Sequence, residues 1–304
     1  MRIVFMGTPE IAATCLKRLL DDGREIAAVY TKIDQPKGRG KKLAESPVKE
    51  LAKSCGLPVI QPVTFKDDAV VEELRAFQPD LIVAVAYGKI LPQRVLDIPP
   101  LGCVNIHGSI LPALRGSGPV QWSILNHLDE TGVTAMYMAA ECDAGDIIDV
   151  KKTPIDPAET SGELMDRLAV LGAELLSETL CGIENGSVTR TPQDPAQATY
   201  APMLTKELCP IDWSASRREI RDLVRGLVPW PVATAELAGT NFKIYRVDPV
   251  EGKTDAAPGT LLRLTKTGLE IACGDGILSI RELQAEGGKR MPAPDYFRGH
   301  PIDI

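Results

Sequence analysis

Asn105 and His107 lie on either side of Ile106 in the segment Leu101-Gly102-Cys103-Val104-Asn105-Ile106-His107-Gly108-Ser109. Side chains alternate along an extended strand, so Val104 and Ile106 face one side while Asn105, His107 and Ser109 face the other. Further along, Thr134-Ala135-Met136-Tyr137-Met138 reads as another strand. It runs into Glu141-Cys142-Asp143-Ala144-Gly145-Asp146, a turn able to present the Asp143 carboxylate. A carboxamide, an imidazole and a carboxylate together suit acyl transfer to an amine, in which negative charge grows on a carbonyl oxygen while the nucleophile loses a proton. Asn105 can donate to that oxygen, a role worth about 2.7 to 4 kcal/mol where one such donor has been removed. His107 can donate to the same oxygen or shuttle the proton. Asp143 can orient the imidazole or take the amine's proton through water. No Ser or Cys nucleophile is required. The same Asn-x-His pattern also fits a polar strand end whose histidine satisfies backbone groups.

The elements around these residues alternate. Ile3–Met6 reads as a strand ending at Gly7, after which Thr8 can cap a helix carrying Ile11, Cys15, Leu16, Leu19 and Leu20 on one side. Strands follow at 26–30, 58–60 and 80–88, the last apolar on both faces as expected of a central parallel strand, with helices at 48–53 and 68–77. This alternation predicts an α/β doubly wound, mostly parallel sheet whose ligands bind at the carboxyl ends of the strands, where Asn105 and His107 fall. A helix is expected over 161–183, a polar, proline-containing linker over 185–202, and a helix over 217–226. Five short strands, at 232–237, 242–247, 260–265, 268–272 and 277–283, then suggest a smaller OB-like β-barrel, a common nucleic-acid platform. The expected domains are 1–184 for catalysis, 185–202 as linker and 203–304 as the OB-like domain.

The chain has 304 residues, more than one core usually organises, and its composition is that of a globular protein. Its amino terminus is too short and too weakly apolar for a secretory segment, so a cytoplasmic location is expected. Seven scattered cysteines form no Cys-x-x-Cys pair, and three histidines, His107, His127 and His300, show no metal-ligand spacing. No metal and no obligate protein partner are expected. The turn after the first strand lacks the Gly-x-Gly-x-x-Gly of dinucleotide binding, and Gly38-Arg39-Gly40-Lys41-Lys42 fails as a nucleotide phosphate loop because no Ser or Thr follows the lysine.

Charge is unevenly placed. The net −7 falls on residues 1–202, since 203–304 balance. Inside the acidic portion, Lys32–Lys49 carries six basic residues against Asp34 and Glu45. A basic, glycine-interrupted segment on an acidic body suits a loop that meets phosphates, and equally a solvated surface loop.

Several motifs then converge. Asn105-Ile106-His107-Gly108-Ser109 with Leu111-Pro112, Arg115-Gly116-Ser117-Gly118-Pro119-Val120-Gln121, Glu130-Thr131-Gly132-Val133-Thr134 and Asp143-Ala144-Gly145-Asp146 resemble the signature of the folate-dependent formyltransferases. Further matches at Met6-Gly7-Thr8-Pro9, 35–43, 46–48, 86–92, 211–213, 229–231, 287–291 and 298–300 extend the resemblance over almost the whole chain. It is closest to the members that act on initiator tRNA. The resemblance implies a formyltransferase-like Rossmann variant, 10-formyltetrahydrofolate as formyl donor, and the α-amine of methionyl initiator tRNA as acceptor. By the family pattern Asn105, His107 and Asp143 are catalytic. Ala86, Tyr87, Gly88, Lys89, Ile90, Leu91 and Pro92, with Ser109, Ile110, Leu111 and Pro112, line the folate pocket. Lys37, Arg39, Lys41 and Lys42 meet the tRNA acceptor stem, and Arg217, Arg218, Arg221 and Arg225 are candidates for a positive face on the carboxy-terminal domain.

Two departures stand out. Glu141-Cys142 replaces a common Gly-Leu pair, and Ala144 stands where threonine is usual. Cys103 and Cys142 are expected to be passive small residues. His127 and His300 are expected to be structural, and Trp122, Trp213 and Trp230 to pack rather than stack on bases. Two other readings fit part of the pattern: a formyltransferase for a small amine such as an amino sugar nucleotide or glycinamide ribonucleotide, and a non-enzymatic RNA-binding protein on the same scaffold.

Overall fold

The computed structural model describes residues 1–37, 42–302 and 304. Its strands are β1 (Arg2–Gly7), β2 (Glu25–Tyr30), β3 (Gln35–Lys37), β4 (Lys42–Ala44), β5 (Val59–Ile60), β6 (Leu81–Val85), β7 (Cys103–His107), β8 (Arg115–Gly116), β9 (Glu130–Tyr137), β10 (Ile147–Pro154), β11 (Tyr200–Ala201), β12 (Ala233–Leu237), β13 (Thr240–Val250), β14 (Leu261–Leu264), β15 (Leu269–Cys273), β16 (Gly276–Ala285) and β17 (Met291–Pro292). The helices are α1 (Glu10–Asp21), α2 (Pro47–Ser54), α3 (Asp68–Ala76), α4 (Gln93–Leu96), α5 (Pro119–Leu125), α6 (Ser161–Asn185), α7 (Arg217–Gly226) and α8 (Ala293–Gly299).

Two compact units divide the chain: residues 1–119, 131–153 and 165–201 form the first, and 120–130, 154–164 and 202–304 the second. In the first, one sheet runs in the order β10-β9-β7-β6-β1-β2-β5. Pairing is parallel from β5 to β7, and β9 joins β7 antiparallel. β6 sits between β1 and β7 with every residue buried, which is why Leu-Ile-Val-Ala-Val is apolar on both faces. One face of the sheet packs Val4, Met6, Tyr30, Ile82 and Ala84 against Phe65, Val71, Leu74, Tyr87 and Leu91. Thr8 does not cap α1. Pro9 occupies that position without a side-chain bond, and the Thr8 hydroxyl instead donates to the Tyr87 carbonyl at 3.2 Å.

The second unit contains the expected carboxy-terminal strands as an antiparallel sheet, β12-β13-β16-β15-β14, with β17 added on β16. Alternation along β13 buries Phe242, Ile244 and Val247 against Ile220, Val224 and Phe297. α7 begins where Ser216 and Glu219 form a capping box, and its buried side carries Ile220 and Val224.

The division differs from the expected boundaries. Residues 187–201 are largely exposed but are tied to the first unit: Thr191 bridges Ile147, Thr199 accepts from the Leu114 backbone at 2.9 Å, and β11 pairs β8. Residues 154–164 join the second unit through the Gly162 N–H bond to Val228 and the Arg225 bonds to the Asp156 and Glu159 carbonyls.

Candidate active site

β7 delivers two of the three expected groups. Asn105 lies opposite Ala84 of β6 and Met136 of β9, and His107 lies opposite Thr134. The Asn105 carboxamide is half-buried and makes no hydrogen bond to any described residue, so its donors remain free. His107 is 6% exposed, with Nε2 2.9 Å from the Leu114 carbonyl oxygen. A carbonyl only accepts, so Nε2 carries a proton, and Nδ1 is left as the nitrogen that can exchange one. Nδ1 faces Asp143 Oδ2 at 3.7 Å. Structure therefore brings His107 and Asp143 together, and it also realises the backbone-satisfying role that the pattern allowed for the histidine.

Asp143 is held in the left-handed region, at φ 53°, a conformation that costs a non-glycine residue about 1 to 3 kcal/mol unless its surroundings impose it. Those surroundings are specific. The Gly116 N–H donates to Asp143 Oδ2 at 2.8 Å, and Gln193 Nε2 donates to the Asp143 and Gly145 carbonyls, each at 2.8 Å. Gln193 Oε1 accepts in turn from Arg115 Nε at 3.1 Å and Nη2 at 2.9 Å. Gly145 passes so close to β9 that a Cβ there would stand 1.9 Å from the Tyr137 carbonyl oxygen. The thiol of Cys142 donates to Asp143 Oδ2 at 3.4 Å, and desolvation and the neighbouring carboxylate push it up to about 11, which keeps it protonated. Burial pushes the Cys103 thiol up to about 12.

The loop after β7 is pinned from below by Thr134, whose buried hydroxyl donates to the Ser109 carbonyl at 2.6 Å and accepts from the Leu111 N–H at 3.1 Å. The Ser109 hydroxyl turns inward and donates to the Ala113 carbonyl at 2.6 Å. In the other expected folate loop, Tyr87 and Leu91 are buried in the core, whereas Ala86, Gly88 and Ile90 point outward, Ile90 being 87% exposed. Lys89 holds the loop to the Pro62 and Val63 carbonyls, and desolvation followed by the charge of Lys32 lowers its pKa. Arg115 and Thr134 stand in the sequence motifs without a role of their own, and Gln193 and Thr199 were not singled out: they belong to a polar, largely exposed stretch in which Gln193 is buried and Thr199 is not.

The expected basic loop is described only in part. β3 and β4 pair antiparallel, with Lys37 opposite Lys42, and Arg39 and Lys41 lie outside the described residues. Lys49, counted in the same basic stretch, is paired to Asp34 at 2.7 Å. In the second unit, the four arginines of α7 are engaged internally. Arg225 and Arg221 bind Asp222, Arg218 binds Asp129, and Arg217 binds Asp275. They line a cavity of about 400 Å³ together with Asp129 and Asp275 rather than forming an unpaired positive face. His127 Nδ1 donates to the Asp222 carboxylate at 2.9 Å, and His300 stacks on Tyr296 at 4.3 Å. Trp122 and Trp213 pack on the second core, but Trp230 is 55% exposed, where packing was expected.

A formyl transferase family model matches residues 1–180, and the model of the formyl transferase carboxy-terminal domain matches 203–301. Methionyl-tRNA formyltransferases are similar over the whole length. That of Alkaliphilus oremlandii is 46% identical over 303 residues, covering 100% of this chain and 98% of the relative. That of Geotalea uraniireducens is 49% identical over 302 residues, covering 99% and 96%. The chain belongs to the formyl transferase family, with the methionyl-tRNA formyltransferases. Among solved structures, an N-formyltransferase from Helicobacter canadensis in complex with folinic acid and dTDP-3-aminofucose aligns with a TM-score of 0.70 at 19% identity, over 91% of this chain and 98% of that one. HypX from Aquifex aeolicus, in complex with tetrahydrofolic acid, aligns with a TM-score of 0.69 at 21% identity, over 98% of this chain and 47% of HypX. This formyl transferase spans about half the length of HypX, and the two likenesses establish its fold. Among the described residues, no helix is long and apolar enough to cross a membrane.

Proposed function

We propose that this formyl transferase moves the formyl group of 10-formyltetrahydrofolate to the α-amine of methionyl initiator tRNA, in the cytoplasm, as a step of translation initiation. The observation that carries the mechanism is the unpartnered Asn105 amide beside a His107 whose exchangeable nitrogen faces Asp143. The methionyl-tRNA formyltransferases matched over the full length support the choice of acceptor.

The residues present fit a folate donor. Asn105 offers free N–H groups at the strand end, and the left-handed backbone of Ala86 and Gly88 turns an outward rim beside exposed Ile90 and Val63. Ala86, Tyr87, Gly88, Lys89, Ile90, Leu91, Pro92, Ser109, Ile110, Leu111 and Pro112 are proposed to shape that pocket, the buried members by setting the backbone. When bound, the donor supplies an activated formyl carbon and a nitrogen leaving group that needs a proton. Asn105 donates to the formyl oxygen as charge develops there. His107, fixed through Nε2, exchanges its proton at Nδ1, and its imidazolium form is stabilised by Asp143. Asp143, anchored by Gly116, accepts the proton that the attacking amine loses, and that proton returns through His107 Nδ1 to the leaving nitrogen. Holding amine and formyl carbon together contributes much of the rate, since well-oriented pairs reach effective molarities of about 10⁵ to 10⁸ M.

Lys37, Arg39, Lys41 and Lys42 are proposed to contact the acceptor stem, and residues 203–304 to hold the flank of the tRNA. Loss of the formyl group from 10-formyltetrahydrofolate on addition of methionyl initiator tRNA tests the proposal. Stoichiometric loss is expected, whereas tRNA binding with the donor left intact would make the chain an RNA-binding protein on this scaffold.

A further inference from the structure

Gln193 lies in the stretch whose composition suits a linker, yet it is only 9% exposed and every hydrogen-bonding position of its amide is used. Its two N–H groups go to the Asp143 and Gly145 carbonyls, and its oxygen takes two N–H groups from Arg115. This satisfaction is directional. Reversing the amide would set its N–H groups against the donors of a guanidinium and its oxygen against two carbonyls. Arg115 is 3% exposed, and its remaining acidic neighbour, Glu141, is 3.5 Å away and largely exposed, so the guanidinium is held chiefly by Gln193. The two carbonyls that Gln193 grips are that of the left-handed Asp143 itself and that of Gly145, two residues on.

We infer that Gln193, oriented by Arg115, is a positioning residue that sets Asp143 against His107. The inference rests on the reading of Asp143 as the proton acceptor. Gln193 touches neither His107 nor the Asp143 carboxylate. It acts through the Asp143 and Gly145 carbonyls, which follow the residue bearing the carboxylate, while Gly116 fixes Oδ2 directly.

Gln193→Glu separates this role from simple support of Arg115. Glutamate pairs with the guanidinium at least as well as glutamine, but it has no N–H for the carbonyls of Asp143 and Gly145 and repels both. Full-length Q193E and D143N are compared with the unsubstituted chain for kcat, for KM toward 10-formyltetrahydrofolate and for melting temperature. The expected result is a fall in kcat of about 10²-fold in Q193E, with KM retained and the protein still folded at the assay temperature although its melting temperature is lowered, as for a displacement of about 1 Å at the reacting groups. Should Q193E fail to fold, Gln193→Met, near in shape and without donors, is expected to give the same fall. If D143N is inactive while Q193E or Q193M keeps its kcat, the positioning role is overturned and the Asp143 reading stands. If D143N keeps its kcat, the Asp143 reading falls and the inference falls with it.

Discussion

Asp143 and His107 meet through one atom pair, Oδ2 and Nδ1, 3.7 Å apart, while the other ring nitrogen is tied to the Leu114 carbonyl at 2.9 Å. The tie decides which nitrogen exchanges protons. In the proposed mechanism it leaves proton exchange to the side of the ring that faces the carboxylate, and it makes the left-handed Leu114 part of the candidate site's framework.

Removing either strand-borne group tests the division of labour. Asn105→Ala is expected to lower kcat by about 10² to 10³-fold, the scale of a lost oxyanion donor, with binding of the folate donor retained. His107→Ala is expected to lower kcat by about 10² to 10⁴-fold. Steady-state kinetics with equilibrium binding of the donor measure both. Unchanged turnover in the two variants would remove them from the chemistry.

Neutralising Arg39 and Lys41 together is expected to raise the KM for methionyl initiator tRNA and to leave folate affinity unaltered. The dependence of log KM on log salt should flatten by about one unit per lost phosphate contact. An unaltered tRNA KM would return the segment to an ordinary solvated loop.

Asp222 contributes to acid stability in the second unit. It is fully buried, and although burial raises a carboxyl pKa, the bonds from His127 and Arg225 and the charges of Arg225 and Arg221 prevail and lower it from 3.8. A depressed carboxylate contributes stability above its unfolded value, and that contribution is lost as the pH falls through the folded one. Asp222→Asn leaves Arg225 without its carboxylate and is expected to cost about 3 to 5 kcal/mol near neutrality. The gap in stability between the two proteins should narrow as the pH drops below the ordinary aspartate range. A gap that does not change with pH would contradict the assignment.

Much of the site is legible in sequence because period and position fix it. Alternation in Cys103–His107 places Asn105 and His107, and Ser216 with Glu219 marks the start of α7. Other parts resist reading, since the same residue types serve opposite ends. Polarity in 187–201 suits a solvated spacer, yet Thr191, Gln193 and Thr199 direct it to partners in the first unit. Arginines along α7 suggest an RNA-facing helix, but the acids that engage Arg217 and Arg218, Asp275 and Asp129, are remote in sequence. Thr8 has a capping residue's type and place, and a carbonyl from the β6–α4 loop claims its hydroxyl.

Acceptor choice separates this account from its nearest rival. The measurement is the initial rate of formyl transfer from 10-formyltetrahydrofolate to methionyl initiator tRNA, set beside elongator tRNA, an amino sugar nucleotide and glycinamide ribonucleotide under one set of conditions. Transfer to the initiator tRNA, with negligible transfer to the small amines, is the expected result. Transfer to a small amine with none to the charged tRNA would contradict it.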